Sequence, residues 1–219
     1  MTNQLLLKFP SKQAYLKEDF YVSSSNSEAF KLIESWPKWI KKTVNIFGPQ
    51  GSGKTHLVSM LKNKTSTIVV DSNKVNDQIF FEFKLNEVLI IENLKENISE
   101  NLLYSLYNIA QQDNKYFVLT SRKPINKFNF KSKDLKSRLN STTIIGIDLP
   151  SDELISVILS KNFSDKQIKV EKKHIDYVIK RIDRSYEKIS QFISTIDKYS
   201  LKKGSPFSLK LIKEVLNMI

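Results

Sequence analysis

The chain has 219 residues, of which 40% are hydrophobic and 26% charged, and its net charge is +12; this suits one globular body with a small appendage and rules out a disordered, collagenous or coiled-coil chain. Cysteine is absent and the two histidines, His56 and His174, lie far apart, so disulfides and thiolate chemistry are excluded and little remains for a histidine zinc site. Apolar runs are far shorter than the ~20 residues of a membrane span, and Met1 to Phe9 lacks the basic start and long apolar middle of a signal peptide, so a cytoplasmic protein with no membrane partner is expected.

An extended, polar N-terminal segment is expected over residues 1–18. Asn26 then stands where it can cap a helix whose apolar residues Ala29, Leu32, Ile33 and Trp36 keep the i, i+3, i+4, i+7 spacing, and Pro37 ends it. Short β-like runs follow at Val44–Phe47, Thr67–Asp71, Val88–Ile91, Tyr116–Thr120 and Thr143–Asp148. Between them, Lys54–Leu61 and Asn101–Gln112 read as helices, the second capped by Ser99 and burying Leu102, Leu103, Leu106, Ile109 and Ala110. Apolar strands alternating with helices predict a five-stranded parallel sheet covered on both faces over residues 19–150. Beyond Pro150 the strand signal stops. A helix near Ser151–Asn162 and three helices built on Ile175, Val178, Ile179, Ile182, on Ile189, Phe192, Ile193, Ile196 and on Ile212, Val215, Leu216, Ile219 predict a small all-helical bundle over 151–219.

The strongest chemical signal is Gly48-Pro49-Gln50-Gly51-Ser52-Gly53-Lys54-Thr55, the phosphate-binding pattern G-x-x-x-x-G-K-[ST]. An apolar strand enters it and a helix leaves it, so backbone N–H groups and a helix N-terminus can surround phosphates. Lys54 is placed to reach the β- and γ-phosphates of ADP or ATP, and Thr55 to offer its hydroxyl to Mg²⁺. The strand end Val88-Leu89-Ile90-Ile91-Glu92-Asn93 puts Glu92 on the metal side. Asn93 stands where a catalytic acid is expected, and an amide cannot take a proton from water, so intrinsic hydrolysis should be slow. Thr120 ends the fourth strand at the sheet's carboxyl edge, where it can sense the γ-phosphate or the attacking water.

The basic surplus is spread evenly, with +7 on residues 1–150 and +5 on 151–219. Only Arg122, Arg138, Arg181 and Arg184 are arginines, so the lysine excess reads as compositional drift rather than a DNA-reading surface. Between Arg122 and Arg138 seven basic residues are interleaved with Phe128 and Phe130; phenylalanines that anchor a long loop to the core are the favoured reading over nucleic-acid stacking.

These residues resemble a family. Gly-Pro-x-Gly-Ser-Gly-Lys-Thr-His-Leu at 48–57, the acid-Asn strand end at Glu92-Asn93, Leu119-Thr120-Ser121-Arg122-Lys123-Pro124, and Asp134-Leu135-Lys136-Ser137-Arg138-Leu139 resemble the AAA+ module of the bacterial replication initiator DnaA, over essentially the whole chain. The resemblance is closer to the Hda family of short DnaA-related regulators, on two counts: the chain ends at the helical lid, and it begins Gln4-Leu5-Leu6-Leu7-Lys8-Phe9. That peptide is similar to the motif by which Hda binds the DNA polymerase III sliding clamp, which implies clamp contacts from Gln4, Leu5, Leu7 and Phe9. An exposed stretch this apolar otherwise needs to fold back on its own domain.

The resemblance further implies that Arg138 is an arginine finger offered in trans to ATP on DnaA, where it neutralises transition-state charge. It implies that Arg184 is a lid sensor of the chain's own nucleotide, with Glu187 or Ser190 as alternative alignments, that Phe20, Tyr21 and Val22 pack the adenine, and that His56 belongs to the nucleotide site. Homo-oligomers and direct DNA contact stay open. A DNA-binding AAA+ ATPase, such as a helicase loader or a DnaA variant, is the rival reading. A small-molecule P-loop kinase is disfavoured, because the helical region offers no evident substrate chemistry.

Overall fold

The computed structural model describes residues 20–165, 168, 170–203 and 208–219. The expected clamp-binding residues Gln4, Leu5, Leu7 and Phe9 lie outside the described residues. Five strands, β1 (Thr43–Phe47), β2 (Thr67–Asp71), β3 (Val88–Leu94), β4 (Tyr116–Ser121) and β5 (Thr143–Gly146), form one parallel sheet in the order β2-β3-β4-β1-β5. Nine α-helices are described: α1 (Ser27–Ser35), α2 (Lys54–Ser59), α3 (Gln78–Leu85), α4 (Glu100–Gln112), α5 (Lys133–Asn140), α6 (Asp152–Asp165), α7 (Lys172–Ile179), α8 (Tyr186–Lys203) and α9 (Leu209–Leu216).

The continuous apolar runs of the strands follow from burial on both faces, since successive side chains alternate across the pleat. In β3, Val88 and Ile90 join one core with Ala29, Ile33, Leu57 and Leu61, on the side of α1 and α2. Leu89 and Ile91 point the other way, into a core with Phe83, Leu103, Leu106 and Leu135 from α3, α4 and α5. Tyr116 and Val118 of β4 divide from Phe117 and Leu119 in the same manner. A third core, built from Ile155, Leu159, Val178, Ile189, Phe192, Ile212 and Val215, closes the bundle of α6 to α9.

Three local expectations change. Asn26 precedes α1 without capping it: its Oδ1 accepts from Ser23 N at 2.8 Å and its Nδ2 donates to the Tyr21 carbonyl at 2.9 Å, so the side chain braces the entering chain instead. The helix expected over 54–61 is α-helical only to Ser59 and tightens into a 3₁₀ turn over Met60–Asn63. The run expected to reach Asp148 pairs in the sheet only as far as Gly146. Two helices, α3 and α5, had no sequence expectation. Ser99 caps α4 as expected, its Oγ accepting from Leu102 N at 3.4 Å, while Tyr107 takes a buried place and Leu102 and Ile109 are only partly covered.

Candidate nucleotide site

β1 lies between β4 and β5, so the chain must cross to the far side of the sheet after it, and the opening at its carboxyl end is where ligands bind in open α/β sheets. The loop that leaves β1 is tied to β4 at its first residue, Gly48 N donating to the Ser121 carbonyl at 3.1 Å. Gly51 and Gly53 have φ of 80° and 86°, a left-handed conformation that side chains other than glycine adopt at a cost. Within the loop Ser52 N donates to the Pro49 carbonyl at 3.3 Å, and α2 starts at Lys54 with no side-chain cap, leaving its first amides to a ligand. The loop forms one wall of an open cleft of about 1140 Å³, whose other walls carry Asp71, Asn93, Ser121, Arg122 and Phe128.

Lys54 is buried, with 8% of its surface exposed. Its Nζ donates to the carbonyls of Gly48 at 2.8 Å and Pro49 at 2.6 Å and to Ser52 Oγ at 3.3 Å. Burial, then the nearby Arg122 guanidinium, lowers its pKa to about 8 against the partial support of Glu92. Glu92 Oε1 is buried without a hydrogen-bond partner, a costly state for a carboxylate oxygen. Thr55 lines the cleft, whereas Glu92, the other residue expected to hold Mg²⁺, is not among the lining residues.

Asn93 occupies the cleft edge in an unusual backbone state, with φ of 54°. Its Nδ2 donates to Asp71 Oδ2 at 2.8 Å, which with the Asn73 amide holds the Asp71 carboxyl below its ordinary pKa. Its backbone N–H donates to Thr120 Oγ1 at 3.1 Å, and its carbonyl accepts from Ser72 Oγ at 2.8 Å. Thr120 is thus buried behind the cleft and pins the end of β3 to β4, while its neighbour Ser121 reaches the lining.

On the opposite side of the loop, Phe20 stacks on Phe30 with ring centroids 5.8 Å apart and meets the edge of His56 at 5.3 Å. A Cβ at Gly53 would lie 3.0 Å from Phe20 Cε2, so this aromatic group sits directly against the loop. Tyr21 and Val22 are each 39% exposed, and neither they nor Phe20 are among the residues that line the cleft.

Arg138 is exposed in the last turn of α5 and is not among the residues that line the cleft. Arg184 stands two residues before α8 and is held by Asp152, Nη2 to Oδ1 at 3.0 Å, also outside the cleft lining. The lid residue that does meet the loop is Tyr186, which the sequence did not single out. A Cβ at Gly51 would lie 3.1 Å from Tyr186 Cβ, and the buried Tyr186 hydroxyl donates to the Asp148 carbonyl at 3.2 Å. Burial raises its pKa, so it stays a neutral donor.

Phe128 and Phe130 are 6% and 2% exposed, packed in the core beneath the 122–132 turn, so neither ring is free to stack on a base. This matches the favoured sequence reading of that basic stretch. Lys123 in the same turn is paired with Glu96 at 2.5 Å. Among the described residues no helix is long and apolar enough to cross a membrane.

A five-stranded parallel sheet in this order, a glycine-rich loop leaving β1 and a helical bundle in contact with that loop make the fold that of an AAA+ P-loop module. Among known proteins the chain is similar to DnaA and, in fold, to its domain III. The chain is 28% identical over 237 aligned positions to the chromosomal replication initiator protein DnaA of Borrelia turicatae, covering 94% of this chain and 49% of that protein. It superimposes on domain III of DnaA from Thermotoga maritima with a TM-score of 0.74 at 20% identity, covering 95% of this chain and 98% of that one. AMPPCP-bound DnaA from Aquifex aeolicus gives a TM-score of 0.69 at 18% identity over 84% of this chain and 65% of that one. The chain spans about half the length of the curated relatives it matches. No family model matches it.

Proposed function

We propose that the chain is an adenine-nucleotide-binding regulator of replication initiation of the Hda type, which promotes hydrolysis of ATP bound to DnaA while tethered to the sliding clamp. The observation that carries the reading is the loop over residues 48–55, built to receive phosphates in a chain otherwise similar to DnaA.

In this reading Lys54 exchanges the Gly48 and Pro49 carbonyls for phosphate oxygens. Gly51 and Gly53 supply backbone donors, and Ser52 joins them once its N–H leaves the Pro49 carbonyl. Thr55 and Glu92 hold Mg²⁺, which when bound neutralises charge on the β- and γ-phosphates. Phe20, Tyr21, Val22 and His56 line the base side. Asn93 is committed to Asp71 and carries no basic lone pair, so it orients rather than deprotonates a water, and turnover on the chain's own nucleotide is slow. Arg138, exposed on α5 away from its own cleft, is suited to reach a nucleotide held by DnaA. Arg184 would serve as a lid sensor only after leaving Asp152. Gln4, Leu5, Leu7 and Phe9 would raise the local concentration of a weak DnaA contact by holding the clamp.

The deciding experiment mixes the purified chain with ATP-loaded DnaA and DNA-loaded clamp and follows ADP formation on DnaA. Acceleration is expected for the parent. Arg138→Ala should lose on the order of 10³-fold of that acceleration while keeping clamp binding. An Arg138→Ala protein that works at the parental rate, or a parent that gives no acceleration, removes the regulator reading.

A further inference from the structure

The strand that feeds the phosphate loop carries a residue out of keeping with its place. Asn45 lies in the middle of β1 between Val44 and Ile46, and all three are fully buried. A polar side chain at such a position costs stability unless its hydrogen bonds are made. Those of Asn45 are complete: Nδ2 donates to the Leu119 carbonyl at 3.1 Å and to Ser121 Oγ at 2.9 Å, and Oδ1 accepts from Ile125 N at 3.0 Å.

The register of β1 on β4, Thr43 to Phe47 against Phe117 to Ser121, is already set by main-chain bonds. What the amide adds falls at the end of that ladder and beyond it, on Ser121 and on the turn that runs to Ile125. Ser121 passes this hold on to the loop. Its Oγ, fixed by Asn45, donates to the Lys123 carbonyl at 2.7 Å, and its own carbonyl accepts from Gly48 N at 3.1 Å. Gly48 in turn offers its carbonyl to Lys54 Nζ at 2.8 Å. A chain of contacts therefore runs from the buried amide through Ser121 and Gly48 to the lysine of the loop. Gly48 has little room to shift, since a Cβ there would lie 2.7 Å from the Ile147 carbonyl oxygen and 3.1 Å from Ser52 Oγ. The turn touches the loop a second time, where Arg122 donates to Gln50 Oε1.

We propose that Asn45 is a positioning residue of the nucleotide site, which holds Ser121 and the turn behind it so that Gly48, the origin of the phosphate loop, is set before a ligand arrives. The inference rests on the nucleotide-binding reading above and adds to it a residue outside the loop pattern that does not line the cleft. A loop ordered in advance lowers the cost of ordering it on binding. Without the amide, the Ser121 hydroxyl and the Ile125 N–H lose a buried partner, and the loop loses its anchor on β4.

The test uses the full chain, with the Kd of ADP and Mg²⁺ from calorimetry and the exchange of the Gly48 amide, without ligand, from NMR. Asn45→Leu, similar in shape but without hydrogen bonds, should weaken ADP binding about fivefold or more and speed Gly48 exchange. Ser121→Ala leaves the core of β1 intact and serves if Asn45→Leu fails to fold; it should shift both readouts in the same direction. The double variant should bind no more weakly than Asn45→Leu, because both changes cut one link. Phe83→Leu, a buried truncation in α3 outside this network, should lower thermal stability yet leave ADP affinity within about twofold of the parent. Parental ADP affinity or parental Gly48 exchange in both Asn45→Leu and Ser121→Ala would overturn the proposal, as would an affinity loss in Phe83→Leu equal to theirs. A parent that binds no ADP removes the nucleotide reading itself, whereas a parent that binds it and an Asn45→Leu protein of equal affinity remove only the role of Asn45.

Discussion

In the proposed function, Lys54 ties nucleotide binding to protons. Its pKa of about 8 lies below its ordinary value of 10.5, because burial and Arg122 oppose the charge. A lysine with a lowered folded-state value penalises the folded protein while both states are protonated, below about 8, and the penalty is lifted as pH rises from there towards 10.5. Phosphate in the loop favours the ammonium, so binding above about pH 8 would draw a proton from solvent. Near pH 9 the calorimetric enthalpy should vary with the ionisation enthalpy of the buffer with a slope of roughly one proton taken up, and near pH 7 the slope contributed by this residue should vanish. Lys54→Met should abolish the pH 9 slope; an unchanged slope would place the proton elsewhere.

The sequence disclosed this lysine because the loop pattern is local: strand, glycines, lysine and hydroxyl lie within eight positions. The places of Arg122, Gln50 and Tyr186 around the loop were hidden for the opposite reason. Each depends on a contact across the fold, 72 residues apart in the first pair, that no periodicity encodes. Thr120 shows the same limit at closer range, since a strand-end hydroxyl can face the cleft or lock two strands, and only the Asn93 contact shows which bond it makes.

Among the elements, the strands were legible because a parallel strand buried on both faces reads as an unbroken apolar run. Helix α3 was not, because Gln78–Leu85 carries Ile79, Phe80, Phe81, Phe83 and Leu85 without a single stripe, and the structure leaves Phe81 and Leu85 more than 70% exposed while burying Ile79 and Phe83. Helix α5 is short, with only Leu135 and Leu139 buried, so its period never builds. It depends on its entry: Ser132 caps it through Leu135 N at 3.2 Å, and Glu100 of α4 accepts the amides of Lys131 and Ser132, both at 2.7 Å.

Those two amides hold the Glu100 carboxyl below its ordinary pKa, so the tether is intact above the usual carboxylate range and is lost as acid protonates it through the lowered value. Glu100→Ala should therefore speed hydrogen exchange at the amides of residues 131 and 132 at neutral pH. The parent should show the same loosening only in acid. Parental protection in the variant would mean that the Ser132 cap alone secures the start of α5.

At the scale of the molecule, three cores divide the work. Two lie on opposite faces of the sheet and share its strands, whereas the third is made entirely of residues from Ile155 onward. Phe192 is fully buried in that third core. Phe192→Ala should destabilise by about 3–5 kcal/mol, as for other buried aromatics. Exchange should rise in α6 to α9 and stay near parental in β1, β3 and β4; an equal rise in the sheet would show that the cores unfold as one unit.

The lid nevertheless touches the rest at a sensitive place, where Tyr186 rests on Gly51 and bonds to Asp148. A ligand that tightened the turn at Gly51 would press on the first turn of α8, and cleft and bundle surface would then be two ends of one equilibrium. Such coupling is reciprocal: whatever factor nucleotide applies to the affinity of a protein gripping the bundle, that protein returns to the affinity for nucleotide. A partner docked on α8, far from any phosphate, would then hold the cleft loaded or help to empty it without touching the ligand.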